Sequence, residues 1–265
     1  MRARISAISL VAILTGCSDD GAPKLGGDLH SVLWIQTAAE YEALCHQTYR
    51  TAQAALPALV ADTRHTAALE QTGDFAEKPP AVIVDVDETV LDNAPYNARL
   101  LRNGAEFTPE SWAEWVRDQR ADALPGATAF FAACHEHGVT VFYVTNRDVE
   151  LEAETRANLE AEGIHLTNAD VDEVRLRNEY DADGSEKSPR RTEIAKDYRI
   201  IMLIGDDLGD FLPYARQASL EERAQNTEKY VARWGTSWFV LPNPIYGSWL
   251  RRLGEEPMRY LDTAK

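Results

Sequence analysis

Residues 81–90 read AVIVDVDETV, a short apolar run that leads into closely spaced acidic residues. The run has the length of a strand, and its nearly continuous apolar character is typical of strands buried on both faces of a parallel sheet. Two further runs of this type follow, VTVFYV at 139–144 and IIMLI at 200–204, and polar clusters follow all of these runs. We therefore expect parallel strands whose polar carboxyl ends share one edge of a sheet.

Helix-like segments alternate with these strands. They cover residues 125–137, 149–162 and 189–196. A further run at 237–241 adds a strand, and the β-α-β alternation predicts an α/β fold with a doubly wound parallel sheet. Apolar residues also recur at helical spacing between residues 32 and 69, so we expect a helical N-terminal segment that is interrupted at Pro57.

The N-terminal residues have the pattern of an export signal. Residues 1–17, MRARISAISLVAILTGC, combine two arginines with an apolar stretch too short to span a bilayer. The ending LTGC resembles the bacterial lipobox, whose cysteine carries lipid after cleavage. We expect a signal peptide over 1–16, lipidation of Cys17, and a flexible tether over 17–29 ahead of a domain at 30–265. An ordinary signal peptide with a coincidental cysteine is the alternative.

Composition narrows the class of protein and of its partners. The 265 residues are 45% hydrophobic and carry a formal net charge of −16. This hydrophobic fraction is enough for a packed core, and no apolar run approaches the roughly 20 residues of a membrane-spanning helix. An acidic chain without a basic cluster is not expected to bind nucleic acid. Cys45 and Cys134 lack metal-site spacing, and either a disulfide or two free buried thiols fits the sequence.

Acidic residues follow the first and the third of the predicted strands. If the first strand continues, Asp85 and Asp87 point the same way, and carboxylates so close need a cation or a shared proton. The sequence GDDLGD at 205–210 adds three acids between glycines, and these acids also need a counter-charge. A lone D-x-D fits a solvated acidic turn equally well, but here it is accompanied by this second acidic cluster.

Neutral and basic groups accompany the acids. Thr145 and Asn146 end the second predicted strand with a hydroxyl and an amide, which suit phosphoryl oxygens, although such a pair also commonly caps a helix. Lys187 opens the sequence KSPRR, where it is placed to neutralise acidic charge and bind an anionic substrate. A solvated surface cluster is the alternative for KSPRR.

The order D-x-D-x-T, Thr, Lys and G-D-D-x-x-D resembles the haloacid dehalogenase superfamily, and within it the phosphatases with two aspartates at each end. AVIVDVDETVLDNAPY, FTPESWAEWV, LPGATAFF, VTNR, EKSPRR, IGDDLGDF and LPNPIYGSW together resemble the class C bacterial acid phosphatases, which are lipoprotein acid phosphatases and 5′-nucleotidases. HSVLWIQTAAEYEALCHQTY at 30–49 is similar to that family's N-terminal helical signature. The resemblance implies a haloacid dehalogenase-like Rossmannoid core with a helical N-terminal segment and a small cap.

The resemblance also implies roles for the acidic residues. Asp85 would be the nucleophile that becomes an aspartyl phosphate, and Asp87 the acid that protonates the leaving alcohol and later activates water. Mg²⁺ would be held by Asp85, the backbone carbonyl of Asp87 and Asp206, with Asp210 in support. Asp207 stands where the family commonly has Asn, so we expect an extra acid beside the metal.

The same resemblance assigns the groups that bind the substrate. Thr145, Asn146 and Lys187 would hold the oxygens of the transferring phosphoryl group, where fixed donors act on developing charge. Trp112 and Tyr246 match the positions of an aromatic clamp for the leaving group. Core packing is the alternative for both aromatic residues.

The N-terminal signal pattern and the family resemblance together imply an exported, lipid-anchored, Mg²⁺-dependent phosphomonoesterase of the bacterial cell envelope, at the outer membrane. Its expected substrates are nucleoside monophosphates and related small esters, and its membrane contact is through the lipid anchor. A dehalogenase is disfavoured because it needs no acid two residues after its nucleophile. A receiver domain is disfavoured because its phosphoacceptor lies on a later strand than its acidic pair.

A non-catalytic ligand-binding surface lipoprotein on the same fold is the alternative from a different class. The sequence leaves open the physiological substrate, the pH optimum and any metal preference beyond Mg²⁺. It also leaves the oligomeric state open, with a homodimer among the alternatives.

Overall fold

The computed structural model describes residues 28–166, 171–179 and 184–263. The predicted signal peptide at 1–16, Cys17 and nearly all of the predicted tether lie outside the described residues. Within the described ranges, no helix is both long enough and apolar enough to cross a membrane.

One parallel sheet of five strands lies at the centre of the described chain. The strands are β1 Pro80–Val84, β2 Thr140–Asp148, β3 Val174–Arg177, β4 Arg199–Gly205 and β5 Trp238–Val240. Their order is β3-β2-β1-β4-β5, so β1 is central and pairs with both β2 and β4. The strand order reverses direction at β1, and in such sheets ligands bind beyond the carboxyl ends of the strands at this point. The prediction of a doubly wound α/β fold is confirmed.

Helices flank this sheet. They are α1 Asp28–Thr37, α2 Ala39–Ala61, α3 Ala94–Asn103, α4 Pro109–Asp118, α5 Ala127–Glu136, α6 Glu152–Ala161, α7 Ser188–Asp197, α8 Leu220–Lys229 and α9 Ser248–Arg251. Two of them, α3 and α4, occupy the insertion between β1 and α5, which is the place of the small cap. Each of the helices predicted between the strands is present, with ends that differ by a few residues.

The apolar strands separate two hydrophobic cores. On β1, Val82 and Val84 belong to the core that contains α2 and α5, whereas Ala81 and Ile83 belong to the core that contains α7. Alternate residues of a strand face opposite sides of a sheet, so a strand covered on both sides is apolar at nearly every position. This is why the continuous apolar runs identified the central strands.

The N-terminal helices differ from the prediction at one point. The break lies at Ala38, between α1 and α2, and Pro57 stands inside α2. Pro57 is exposed, so the carbonyl that loses its helical partner can bond to water, while Leu56 beside it is buried in the core. Helix α2 also supports the site, because the Tyr49 hydroxyl donates to the carbonyl of Thr89 at 2.6 Å, in the loop after β1.

Strand β3 was not predicted, because it lacks a continuous apolar run. Val174 and Leu176 are buried while the intervening Arg175 is half-buried, as expected of an edge strand with one covered face.

The structure shows that Cys45 and Cys134 do not form a disulfide. Cys45 in α2 and Cys134 in α5 are buried free thiols, and burial raises the pKa of both.

Candidate active site

The loop that follows β1 carries the first two aspartates. β1 ends one residue before Asp85, whose N–H still donates to the carbonyl of Ile204 on β4 at 3.0 Å. Glu88 then adopts a φ of 54°, in the left-handed region, and the chain turns back. Asp85 and Asp87 are therefore placed by the turn and not by strand alternation, and their carboxylates contact different partners.

Asp85, Asp206 and Asp210 form a carboxylate cluster at the carboxyl edge of the sheet. One oxygen of each lies within 4.8 Å of the others. The Nζ atom of Lys187, at the start of α7, lies 2.5 Å from Oδ1 of Asp85 and 2.6 Å from Oδ1 of Asp210. The structure thus brings together four of the residues that the sequence singled out, from three separate segments of the chain.

The pKa shifts of the side chains in this cluster indicate that it has too little positive charge for its carboxylates. Burial raises the pKa of Asp85 to about 6; Lys187 opposes this rise, and Asp210 and Asp87 add to it. Burial also raises the pKa of Asp206 well above its ordinary value, and the carboxylates of Asp85 and Asp210 contribute. Burial by itself would lower the pKa of Lys187, but Asp210 and Asp85 raise it. An all-oxygen cluster that needs a counter-charge fits a hard divalent cation such as Mg²⁺.

Asp210 is held behind the cluster by its own contacts. Its Oδ2 accepts a hydrogen bond from the N–H of Asp207 at 2.9 Å, while its Oδ1 faces Lys187. The close approach depends on Gly205, because a Cβ atom there would lie 2.2 Å from Oδ2 of Asp210. The glycine ahead of GDD is therefore needed to admit the Asp210 side chain.

Asp207 does not face the cluster, so the expectation of an extra acid beside the metal is wrong. Its carboxylate accepts the N–H of Gly209 at 2.9 Å, and the N–H and hydroxyl of Ser248 at 2.6 and 2.8 Å. Burial disfavours the charged form, but these hydrogen bonds lower the pKa of Asp207 below its ordinary value. The side chain caps the short helix Leu208–Asp210 and ties it to the start of α9.

Asn243 is a site residue that sequence reasoning missed. Its Nδ2 donates to Oδ2 of Asp206 at 2.7 Å, and its Oδ1 accepts the N–H of Tyr246 at 3.3 Å. One amide therefore connects a predicted metal ligand to a predicted clamp residue. The sequence signal was its place between two prolines in LPNPIYG, which marks a rigid turn.

Asp87 has a separate set of partners. Its Oδ1 accepts from Nη2 and Nε of Arg147 at 2.8 and 3.0 Å, and from Nδ2 of Asn93 at 3.0 Å. Its Oδ2 lies 3.3 Å from the Thr145 hydroxyl. Sequence reasoning gave no role to Arg147 or Asn93, because their charged neighbours in the sequence are Asp148 and Asp92, and nothing local indicates a contact with Asp87.

Thr145 and Asn146 lie within β2, which extends to Asp148, so the alternative of a helix cap is wrong for them. The Thr145 hydroxyl accepts the N–H of Arg147 at 3.1 Å. The Oδ1 atom of Asn146 accepts from Nη2 of Arg190 at 2.8 Å. Because its oxygen is held in this way, Asn146 presents its amide N–H groups to an incoming acceptor.

The first turn of α7 connects the motifs, and the alternative of a solvated surface cluster is wrong for KSPRR. Lys187, Arg190 and Arg191 are all buried. Arg190 donates to the carbonyl of Thr145, and Arg191 donates to the carbonyls of Gly209 and Asp210 at 3.0 Å each. These arginines hold β2 and the short helix Leu208–Asp210 at fixed positions relative to Lys187.

The two predicted clamp residues lie on different elements. Trp112 is half-buried on α4, its ring packs edge-on against Tyr96 with centroids 5.2 Å apart, and Cζ of Arg147 lies 5.7 Å from its ring centroid. Tyr246 is 36% exposed in the turn before α9. Trp115, by contrast, is buried and donates to Oδ1 of Asn93 at 2.7 Å, which is a core role.

Comparison with known proteins decides the family. Residues 28–249 match the family described as HAD superfamily, subfamily IIIB (Acid phosphatase). The chain belongs to this family. The family predicted from the sequence is therefore confirmed, and the match includes every described site residue discussed above.

Relatives of this subfamily IIIB chain include bacterial and plant proteins. A class C acid phosphatase from Bacillus anthracis, solved with tungstate bound, has a TM-score of 0.74 and 33% identity, over 85% of this chain and 87% of that one. The Stem 31 kDa glycoprotein of Glycine max is 27% identical and Acid phosphatase 1 of Solanum lycopersicum is 30% identical, each over 62% of this chain. The matches span 58% and 57% of the two plant proteins. The family description and the Bacillus anthracis and Solanum lycopersicum relatives all name acid phosphatases.

Proposed function

We propose that this protein hydrolyses phosphate monoesters at Asp85 with bound Mg²⁺, and that nucleoside monophosphates are among its substrates. The observation that carries the proposal is the contact of Asp85 with Lys187 inside the Asp206 and Asp210 cluster, while Asp87 is held apart by Arg147. This arrangement supports Asp85 as the nucleophile, Lys187 as the anion-binding group and Asp87 as a separate acid at one edge of the sheet. Release of inorganic phosphate from a nucleoside monophosphate tests the proposal directly.

In the first step, an Asp85 oxygen attacks phosphorus while the bond from phosphorus to the ester oxygen breaks. Asp87 gives its proton to that oxygen, so the alcohol leaves neutral and Asp85 carries the phosphoryl group. In the second step, Asp87 accepts a proton from water, which attacks phosphorus and releases phosphate from Asp85. Asp85 and Asp87 have different partners: Asp85 contacts Lys187, whereas Asp87 contacts Arg147 and Asn93.

Asp85, Asp206 and the backbone carbonyl of Asp87 would hold Mg²⁺, with Asp210 in support. When bound, the ion screens the Asp85 carboxylate from the anionic ester and stabilises charge on the transferring oxygens. Lys187 binds a phosphoryl oxygen, and its burial strengthens that interaction.

Thr145 and Asn146 complete the proposed phosphoryl site. The contact from Arg190 fixes Asn146 so that its N–H groups donate to the phosphoryl oxygens. The tungstate in the Bacillus anthracis relative is a tetrahedral oxyanion, as phosphate is, which supports an oxyanion site in this family.

The nucleotide preference is proposed to depend on Trp112 and Tyr246. Stacking of a base on an aromatic side chain contributes about 1–3 kcal/mol. Tyr246→Ala is therefore expected to lower kcat/KM for a nucleoside monophosphate by about 5- to 150-fold. A small aliphatic phosphate such as glycerol phosphate, which has no ring to stack, should lose much less. The measurement is kcat/KM for both esters.

Tyr246 gives a cleaner test than Trp112, because Trp112 also packs against Arg147 and Tyr96. Tyr260→Ala is the matched control, since Tyr260 is another exposed tyrosine, outside the residues that match the family. Equal losses for both esters in a folded Tyr246→Ala protein would show that the residue does not bind the leaving group.

We further propose that the protein is exported and anchored to the bacterial cell envelope, at the outer membrane, by lipid on Cys17. The support is the LTGC ending of the N-terminal signal pattern. Cys17→Ser is expected to move the protein from the membrane fraction to the soluble fraction, or to leave an uncleaved precursor, because the lipid is the anchor. Immunoblots of fractionated cells measure this, with Cys45→Ser as control. Normal processing and membrane retention of Cys17→Ser would contradict the anchor.

A further inference from the structure

We infer that Arg147 is a positioning residue that holds Oδ1 of Asp87 and thereby directs Oδ2, on the side of Thr145, toward the leaving group. The inference rests on the proposed function, in which Asp87 is the general acid. Arg147 touches neither the nucleophile nor the carboxylate cluster in the contacts of the described chain, and its guanidinium is directed at Asp87.

The contacts of Asp87 distinguish its two oxygens. Oδ1 accepts two N–H groups of Arg147, at 2.8 and 3.0 Å, and one of Asn93, at 3.0 Å. These donors fill the space around Oδ1, and a proton on that oxygen would face their hydrogens. Oδ2 has longer contacts, 3.3 Å to the Thr145 hydroxyl and 3.4 Å to Nε of Arg147. Oδ2 is therefore the less closely held oxygen, and it lies beside Thr145 in the proposed phosphoryl site.

Arg147 is itself held in place. Its side chain is 1% exposed, and Nη1 donates to the Thr155 hydroxyl at 3.3 Å, which in turn donates to the carbonyl of Leu151 at 2.8 Å. The guanidinium also lies over the ring of Trp112, within the range of a cation-π contact. A planar fork held by these two contacts can orient a carboxylate, whereas a lysine at this position would supply a point charge.

This arrangement also connects the acid to the cap. Trp112 on α4 packs against one side of the Arg147 guanidinium, and Asn93, just before α3, donates to Asp87. The cap that carries a predicted contact for the leaving group therefore also holds the residue that protonates it.

The experiment compares Arg147→Lys with the unchanged protein on two aromatic esters of similar size, benzyl phosphate and p-nitrophenyl phosphate. Benzyl alcohol is a poor leaving group that needs the proton, whereas p-nitrophenolate leaves as a stable anion. The parameter is kcat/KM, because it covers the steps up to formation of the aspartyl phosphate and excludes its hydrolysis. A positioned general acid contributes about 10²–10⁴-fold, so we expect Arg147→Lys to lower the benzyl value about 10- to 100-fold and the p-nitrophenyl value less than about threefold.

Arg177→Lys is the matched control. Arg177 forms a two-point ion pair with Asp148, one residue along β2 from Arg147, but outside the site, and this variant should leave both values unchanged. If Arg147→Lys does not fold, Thr155→Val, which removes the hydroxyl that holds Nη1, is expected to give a smaller loss with the same selectivity. Equal losses for the two esters in a folded variant, or no loss, would overturn the inference.

Asp87→Asn separates this inference from the proposed function. A selective loss for benzyl phosphate in Asp87→Asn, without one in Arg147→Lys, would leave the general acid in place and reject the role of Arg147. Equal losses for both esters in Asp87→Asn would reject Asp87 as the general acid, and the inference with it. Selective losses in both variants, larger in Asp87→Asn, support the inference.

Discussion

Asp85→Asn is expected to lower kcat for any phosphate monoester by at least about 10³-fold, because the amide cannot form the aspartyl phosphate. The variant should still fold, since Asn has the same size and the buried position already disfavours the charged form of Asp85. Lys187 keeps Asp210 as a partner at 2.6 Å. Turnover of p-nitrophenyl phosphate measures the loss, and thermal unfolding monitored by circular dichroism measures the fold.

Asp118→Asn is the control for this variant. Asp118 is an exposed aspartate at the end of α4, paired with Arg99, and its replacement should leave turnover unchanged. Activity of Asp85→Asn within tenfold of the unchanged protein would be incompatible with a covalent mechanism at this residue. Trapping of a phosphorylated protein after rapid quenching gives an independent measure of the same intermediate.

Removal of divalent metal is expected to lower activity by about 100-fold or more, and added Mg²⁺ should restore it. The physical reason is the carboxylate cluster, in which Asp85, Asp206 and Asp210 lie within 4.8 Å of one another and Lys187 supplies one positive charge. Added Mg²⁺ should also raise the midpoint of thermal unfolding of the chelated protein, because a ligand that binds the native state stabilises it.

Asp206→Asn provides the matched test of the metal site, with exposed Asp74→Asn as its control. The Asp206 variant should need a higher Mg²⁺ concentration for half of its maximal activity and should lose the shift in unfolding midpoint. Full activity after exhaustive chelation would contradict the metal requirement. An unchanged Mg²⁺ requirement in Asp206→Asn would contradict its assignment as a ligand.

The sequence predicted those elements whose signal is local. The runs at 81–86, 139–144 and 200–204 marked β1, β2 and β4, because strands covered on both faces are apolar at nearly every position. Strand β3 has one covered face and four residues, so neither its composition nor its length distinguished it from a loop. Pro57 was misjudged because its effect on α2 depends on which side of the helix is exposed, and that is a tertiary property.

The sequence predicted the location of some site residues but not the direction in which each side chain points. Four of the site residues lie where a strand ends or a helix begins, at one edge of a parallel sheet: Asp85, Asp206, Asp210 and Lys187. The order of the segments along the chain and the direction of the strands were therefore sufficient to group them. Asp207 has the same neighbours in the sequence but turns to Ser248, because hydrogen bonds across the fold determine its direction.

The sequence by itself thus determined which strands end in polar residues, which family the chain belongs to and which acids meet at the sheet edge. The tertiary structure decided which side chain holds each site residue: Arg147 and Asn93 hold Asp87, Asn243 holds Asp206, Arg190 holds Asn146, and Arg191 holds the carbonyl of Asp210. The direction of each strand and the spacing of its apolar residues can be determined from a short stretch of sequence. The choice of a hydrogen-bond partner from a distant segment depends on distances and burial that exist only after the chain has folded.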